Sequence, residues 1–340
     1  MENSARNPAT KKIAKPRMQA ISPHQEIPRR INLTPRFSFK IGDCIGEDMI
    51  VIGHLSAGKV SELYQVWSIT QICAFTCKIV LPGFSAKSDE LRGFRREAQL
   101  LRQTSHPRIV RLFGEGVHEK RHFLVQEYLQ GPSLYELIES SPGRKLPVPE
   151  AVKSLIHISA AVGHLHSLGY IHRDLKPSNM ILHGGLPILI DFEAAYRLKA
   201  GRRPKRSIGT DPYMSPEQCL RNELSAASDV YGLGAVLYEM LTGRWPFEKE
   251  LANRTSVEKI EERFPQVKAR PPENPSKYGN MPKGLEEVVM QCLEFDPQKR
   301  LSSVRDLVSE LAPYLEGPDR MWPESLDLAR TTSRISQAGF

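Results

Sequence analysis

The chain has 340 residues, 40% of them hydrophobic and 25% charged, which is ordinary globular composition with length enough for a buried core. The formal charge of +8 sits at one end: residues 1–40 carry nine Lys/Arg against Glu2 and Glu26, leaving 38 basic and 37 acidic side chains in the remainder. The basicity thus belongs to the N-terminal arm and not to the body. Absence of any apolar run near the roughly 20 residues that span a bilayer argues against a transmembrane segment.

Residues 1–45 read as a disordered basic N-terminal arm, with scattered prolines and no sustained helical or strand period. Two readings of the arm stay open: a solvated tail, and an electrostatic tether to acidic protein, a membrane surface or nucleic acid. No signal peptide is read in it, and its few serines argue against organelle targeting. Five cysteines without a C-x-x-C pair predict free thiols in a reducing compartment, hence a cytoplasmic location.

Strands are predicted at 49–55, 62–68, 72–80 and 122–128, runs rich in β-branched and aromatic residues. One helix interrupts them at 88–104, where Leu91, Phe94, Ala98 and Leu101 recur at three- and four-residue steps behind Ser88 as N-cap. After 131–134 the pattern turns helical, at 151–169, 228–242, 284–294 and 303–314. The predicted fold is therefore α+β and two-lobed, a small antiparallel sheet lobe with one helix (about 49–128) and a larger, mainly helical lobe (about 132–314). Residues 315–340 read as a tail.

The most informative string is YIHRDLKPSNMIL (170–182). Asp174 is suited to accept a hydroxyl proton, Lys176 to neutralise a transferring phosphoryl group, and Asn179 to hold a divalent ion through its amide oxygen. The string fits H-R-D-L-x-x-x-N, and over about 49–314 the chain resembles the eukaryotic-type serine/threonine protein kinases, bacterial members in particular. The resemblance implies ATP as phosphoryl donor, Mg²⁺ or alternatively Mn²⁺ as metal, and protein substrates. Asp191, in the D-F-E that stands where the family has D-F-G, is implied as the second metal ligand. Lys78 matches the lysine of the third strand and Glu97 its helix partner, completing the catalytic set with Asp174 and Lys176.

The phosphate-covering loop departs from the family's three glycines. Two registers fit, one through Gly53, Leu55, Gly58 and Val60, the other through Ser56, Gly58, Ser61 and Leu63; the second keeps the family's spacing to Lys78 and is preferred. Only Gly58 survives in it, so looser ATP binding is expected. The resemblance places adenine among Leu55, Leu63, Thr76, the hinge from Glu127 to Leu129, and Ile181, with polar Gln126 ahead of the hinge. Downstream, SIGTDPYMSPEQ (207–218) resembles the end of an activation loop. It implies a bond from Thr210 to Asp174 and Lys176, a Glu217–Arg300 pair, and Asp229 holding the catalytic loop. Arg173 implies regulation by a phosphate, with Ser207 the preferred acceptor ahead of Thr210.

Two other classes compete with an active kinase. A pseudokinase scaffold would account for the depleted glycine loop, Thr76 and Glu193; a small-molecule kinase of the aminoglycoside- or choline-kinase type would account for the acid after Asp-Phe. Retention of Lys78, Glu97, Asp174, Lys176, Asn179 and Asp191 favours catalysis, and the 207–218 segment favours a protein acceptor. Glu193 is expected to restrict movement of the D-F-E segment and to add negative charge if it turns inward.

Overall fold

The structure, a computed structural model, describes residues 37–83, 88–255 and 258–315. It begins with a six-stranded antiparallel sheet, formed by β1 (Cys44–Ile45), β2 (Met49–Ala57), β3 (Ser61–Ser68), β4 (Cys73–Val80), β5 (Leu112–His118) and β6 (Arg121–Glu127), in the order β1-β2-β3-β4-β6-β5. Strand β4 is buried on both faces, with Phe75, Cys77 and Ile79 in one apolar cluster and Val80 in another, which is why CAFTCKIV reads as a nearly continuous apolar run. Helix α1 (Asp89–Arg102) starts where the Ser88 hydroxyl accepts from Leu91 N–H, and buries Leu91, Phe94 and Ala98 against Val80 and Leu124.

The ordered lobe starts earlier than residue 49. Phe39 and Ile45 are buried with Val51, Tyr64 and Val66, so residues 37–45 belong to the sheet lobe and not to the arm. Two forces hold them. Burying each such side chain contributes about 1.5–3 kcal/mol, enough to offset local chain ordering. A polar staple adds to it: Ser38 donates from its backbone N–H and its hydroxyl to buried Glu62, and Phe39 N–H donates to Tyr64 Oη. Glu62 is itself paired with Arg121 at 2.8 Å, and that guanidinium also donates to Val80 O and lies over the Phe39 ring. Residues 1–36 of the expected arm and 316–340 of the expected tail lie outside the described residues.

The second lobe carries α2 (Leu134–Ser140), α3 (Val148–Ser167), the short pairs β7 (Tyr170–Ile171) with β10 (Tyr196–Arg197) and β8 (Met180–His183) with β9 (Leu186–Leu189), then α4 (Pro216–Leu220), α5 (Ala226–Thr242), α6 (Glu248–Ala252), α7 (Ile260–Arg263), α8 (Lys283–Cys292) and α9 (Val304–Leu311). Helix α5 is buried from Ala227 to Thr242, apolar nearly all round, as a helix must be when others surround it. Helices α3 and α8 pack against it; a Cβ at Gly234 would meet Cys292 Cβ at 2.4 Å, so the α5–α8 approach requires glycine. The core of this lobe runs from Leu101 and Ile109 to Leu311, with Phe192 and Met180 inside it.

Cys77, Cys219 and Cys292 are buried, Cys73 is half-buried and Cys44 exposed; all five are free thiols. Among the described residues no helix is long and apolar enough to cross a membrane.

Candidate active site

Four segments converge between the lobes. Strand β4 delivers Lys78, α1 delivers Glu97, the loop after β7 delivers Asp174, Lys176 and Asn179, and the loop after β9 delivers Asp191 and Glu193. Their placement is backbone-driven. The Asp229 carboxylate, buried at the start of α5, accepts from His172 N–H at 2.8 Å and Arg173 N–H at 2.9 Å, which fixes the catalytic-loop backbone. His166 of α3 reaches the same carboxylate at 2.9 Å. These partners outweigh burial and hold the Asp229 pKa below the usual carboxylate range. Arg173 and Asp191 sit at φ of 68° and 62°, left-handed conformations that non-glycine residues adopt only where the surroundings over-determine them.

Lys78 Nζ lies 2.7 Å from Glu97 Oε2, 2.8 Å from Glu193 Oε1 and 3.2 Å from Asp191 Oδ1. Burial alone would lower the pKa of this ammonium; the charges of Asp191, Glu97 and Glu193 outweigh it and raise the value well above normal. Burial pushes the Glu97 carboxyl up to about 7, against the pull of Lys78. Asp191 feels the same burial, but the neighbouring Lys78 charge prevails and keeps it ionised. Gln126, whose side chain faces Glu97, donates to Oε1 at 3.3 Å. Phe192 is fully buried and meets the His172 ring edge-on at 5.1 Å; burial keeps that imidazole neutral.

On the acceptor side, Thr210 Oγ1 donates to Asp174 Oδ1 at 2.7 Å and accepts from Lys176 Nζ at 3.1 Å. Lys176 is also 2.9 Å from Asp174 Oδ2. Asn179 donates its amide to Asp174 O at 2.9 Å and Oδ2 at 3.3 Å, which orients the amide oxygen away from Asp174. Ile190 N–H donates to Asn179 O, so Asn179 and Asp191 are neighbours through one backbone bond. A carboxylate and an amide oxygen are hard ligands and fit a divalent cation of the Mg²⁺ kind.

The loop between β2 and β3 turns at Gly58, whose N–H donates to Ser61 O at 2.9 Å, with Ser56 opposite Leu63 and Ala57 opposite Glu62. Leu63 pairs with Lys78 and Thr76 with Gln126 across the sheet. Glu127 and Leu129 are half-buried at the hinge, Ile181 bridges to Ser133 just beyond it, and Leu55 remains 44% exposed. Gly131 closes the hinge: a Cβ there would lie 1.8 Å from Leu182 O.

The regulatory candidates are not gathered into one pocket. Ser207 donates its hydroxyl to Cys219 O at 3.0 Å, while Arg173 donates to Ala194 O at 2.6 Å and stacks over Tyr196. Burial, and then the nearby Arg96 charge, lower the Arg173 pKa to about 10. Glu217 and Arg300 form a buried two-bond pair at 2.7 and 2.9 Å, completed by Ser228 on the carboxylate and three backbone carbonyls on the guanidinium. Two contributors escaped the sequence reading, and a third, Gln126, was read only as a polar residue ahead of the hinge. Arg96 donates to Glu193 O and Ala195 O, Gln218 donates to Arg173 O, and Gln126 reaches Glu97. Only Arg96, adjacent to Glu97 on one amphipathic helix, carried a signal that spacing could have revealed.

Comparison with known proteins agrees with this geometry. The family described as protein kinase domain matches residues 49–311. The chain is 28% identical over 282 residues to a probable serine/threonine-protein kinase of Clostridium perfringens, covering 82% of this chain and 40% of that protein. It is 29% identical to the serine/threonine-protein kinase PrkC of Bacillus subtilis, covering 80% of this chain and 41% of that one. Against the probable serine/threonine-protein kinase PknB of Lactococcus lactis the identity is 28%, over 80% and 43%. The chain thus spans about two fifths of the length of these curated relatives.

Proposed function

This chain belongs to the protein kinase family, and from that premise we propose that it transfers the γ-phosphoryl group of ATP to serine or threonine hydroxyls of protein substrates. The observation that carries the proposal is the Asp174–Thr210–Lys176 arrangement. It sets a proton acceptor, a cation and a hydroxyl together on the acceptor side.

Asp174 orients the incoming hydroxyl and takes its proton as the oxygen attacks. Lys176 offsets the charge that develops on the phosphoryl oxygens. Lys78, steadied by Glu97, holds the non-transferring phosphates of ATP. Asp191 and Asn179 would hold Mg²⁺, which would supply charge neutralisation at the phosphates. The loop at Ser56, Gly58 and Ser61 covers the phosphates, and Leu55, Leu63, Thr76, Glu127, Leu129 and Ile181 enclose the adenine. A Ser207 phosphate, of about −1.5 to −2 charge, would draw Arg173 and its neighbour Arg96 from their present partners and so report the state of the loop. A cytoplasmic location and a tethering role for the arm belong to the same proposal.

The test is phosphoryl transfer from radiolabelled Mg-ATP to the chain itself and to generic protein acceptors, followed by phosphoamino-acid analysis. Phosphoserine or phosphothreonine, abolished by Asp174→Ala and Asp191→Ala, is the expected result. No transfer with either Mg²⁺ or Mn²⁺ would replace the proposal with a scaffold role, and transfer to small alcohols alone with a small-molecule kinase.

A further inference from the structure

An ammonium group has three N–H donors and no more. In this site all three are matched: Glu97, Glu193 and Asp191 each place a carboxylate oxygen within 3.2 Å of Lys78 Nζ. The three carboxylates offer oxygens within 4.8 Å of one another, with Lys78 as their common counter-charge. A nucleotide phosphate arriving at Lys78 therefore finds no donor unoccupied, and one carboxylate has to leave.

The three are not equally free to do so. Glu97 is fully buried and held from three sides, by Lys78, by the Gln126 amide and, at 3.5 Å, by Phe192 N–H. Asp191 is fixed at φ 62° and also receives the Glu193 N–H at 3.4 Å. Glu193 differs. Its side chain is 25% exposed, and Lys78 is the ion-pair partner of its carboxylate among the described residues. Its backbone is anchored separately, by Arg96 on Glu193 O and Ala195 O. The carboxylate can therefore swing away through side-chain rotation alone, leaving α1 and Asp191 in place.

We propose that Glu193 is a built-in competitor for nucleotide phosphate: its carboxylate occupies the donor of Lys78 that ATP must take, so every binding event displaces it. The inference rests on the kinase reading and deepens it, by naming a residue that sets nucleotide affinity through Lys78. It also gives a physical role to the acid that stands where the family has glycine. Lys78 and Glu97 stay paired while Glu193 lowers affinity for ATP.

The test measures binding of ATP, ADP and adenosine by calorimetry in Mg²⁺ buffer, for the wild type, Glu193→Gln, Glu193→Ala, and Glu193→Gln in a Lys78→Met background. Gln keeps the length of the side chain and removes its charge. The expected result is about tenfold tighter ATP and ADP binding in both single variants, with adenosine affinity unchanged and the gain absent without Lys78. The unchanged adenosine affinity doubles as evidence of an intact fold. Equal ATP affinity in wild type and variants, an equal gain for adenosine, or a gain that persists in the Lys78→Met background would each overturn the proposal. Binding as expected but without phosphoryl transfer would leave the proposal standing and remove the kinase reading. No nucleotide binding by any form would remove both.

Discussion

The Gln126 side-chain amide donates to Glu97 across 3.3 Å, joining the residue ahead of the hinge to the helix carboxylate that anchors Lys78. Glu97 is fully buried, so each partner on its oxygens matters more than it would in water. Replacing Gln126 by leucine keeps the bulk and removes the donor. We expect kcat/KM to fall three- to tenfold, in line with the roughly 1 kcal/mol of one such bond. Gln126→Glu should cost more, because it brings a fourth carboxylate to a site where three already share one lysine. Steady-state kinetics of the two variants decide it; wild-type values in both would mean that the bond is idle.

The catalytic loop is the part of the site that could be read most directly from the chain. Asp174, Lys176 and Asn179 lie within six residues, where residue type and spacing suggest phosphoryl transfer, and the family resemblance implies the role of Asp191 twelve residues on. The first helix was legible for a similar reason: α1 announces itself by Ser88 and an apolar face. Strand β5 was not. LFGEGVH carries two glycines that weaken any strand signal, yet a Cβ at Gly116 would meet the Phe123 ring at 2.4 Å, a demand visible only once β6 is in place. Residues 37–45 were misassigned because their partners, Glu62, Tyr64 and Arg121, are far along the chain. The inward turn of Glu193 and the reach of Gln126 are likewise contacts between distant segments, and no local pattern encodes them.

Thr210 bridges Asp174 and Lys176 through a single hydroxyl. Serine keeps the hydroxyl and should retain most activity. Alanine removes both bonds, taking the donor from Asp174 Oδ1 and one acceptor from Lys176, so kcat should fall ten- to a hundredfold, or about 1.4 to 2.7 kcal/mol in barrier. The comparison is made on kcat with saturating ATP and acceptor. An alanine variant as active as the serine variant would remove the bridge from the catalytic account.

The Glu217–Arg300 pair is buried and fully hydrogen-bonded, and the arginine holds Glu217 below its usual pKa despite burial. Removing one partner strands the other charge, so Arg300→Ala should lower unfolding stability by roughly 3–5 kcal/mol. Glu217→Gln in the same background should recover part of the loss, because it removes the stranded charge while still accepting from Ser228. Denaturant titrations of the single and double variants give the coupling; simple additivity would show that Arg300 acts through packing on Tyr231 and not through the pair.

Glu239 gives the stability a predictable pH dependence. It is buried on α5, where it accepts from Tyr213 Oη at 2.5 Å and Trp245 Nε1 at 3.0 Å, and it is faced by Arg144, Glu139 and Tyr135. Burial pushes its pKa up to about 7 from the ordinary 4.5, with the two hydrogen bonds and Arg144 holding part of that rise back. Between those values the native state binds more protons than the unfolded chain. The contribution of this group is therefore complete below about pH 4.5 and is lost as pH rises through about 7, at no more than about 1.4 kcal/mol per unit. Glu97, also raised to about 7, adds in the same direction. Asp229 and Glu217, both lowered, have completed their own loss of protons below this window. Burial lowers the pKa of His172 and His106, so these two groups gain stability as pH rises over the same range, and the Glu239 contribution is read as a difference between two proteins that share them. Glu239→Gln cannot ionise, so its melting temperature relative to wild type should rise steadily from pH 5 to pH 8. Parallel pH profiles for the two proteins would mean that Glu239 stays in one protonation state throughout, with Tyr213 and Trp245 holding it ionised in spite of its burial.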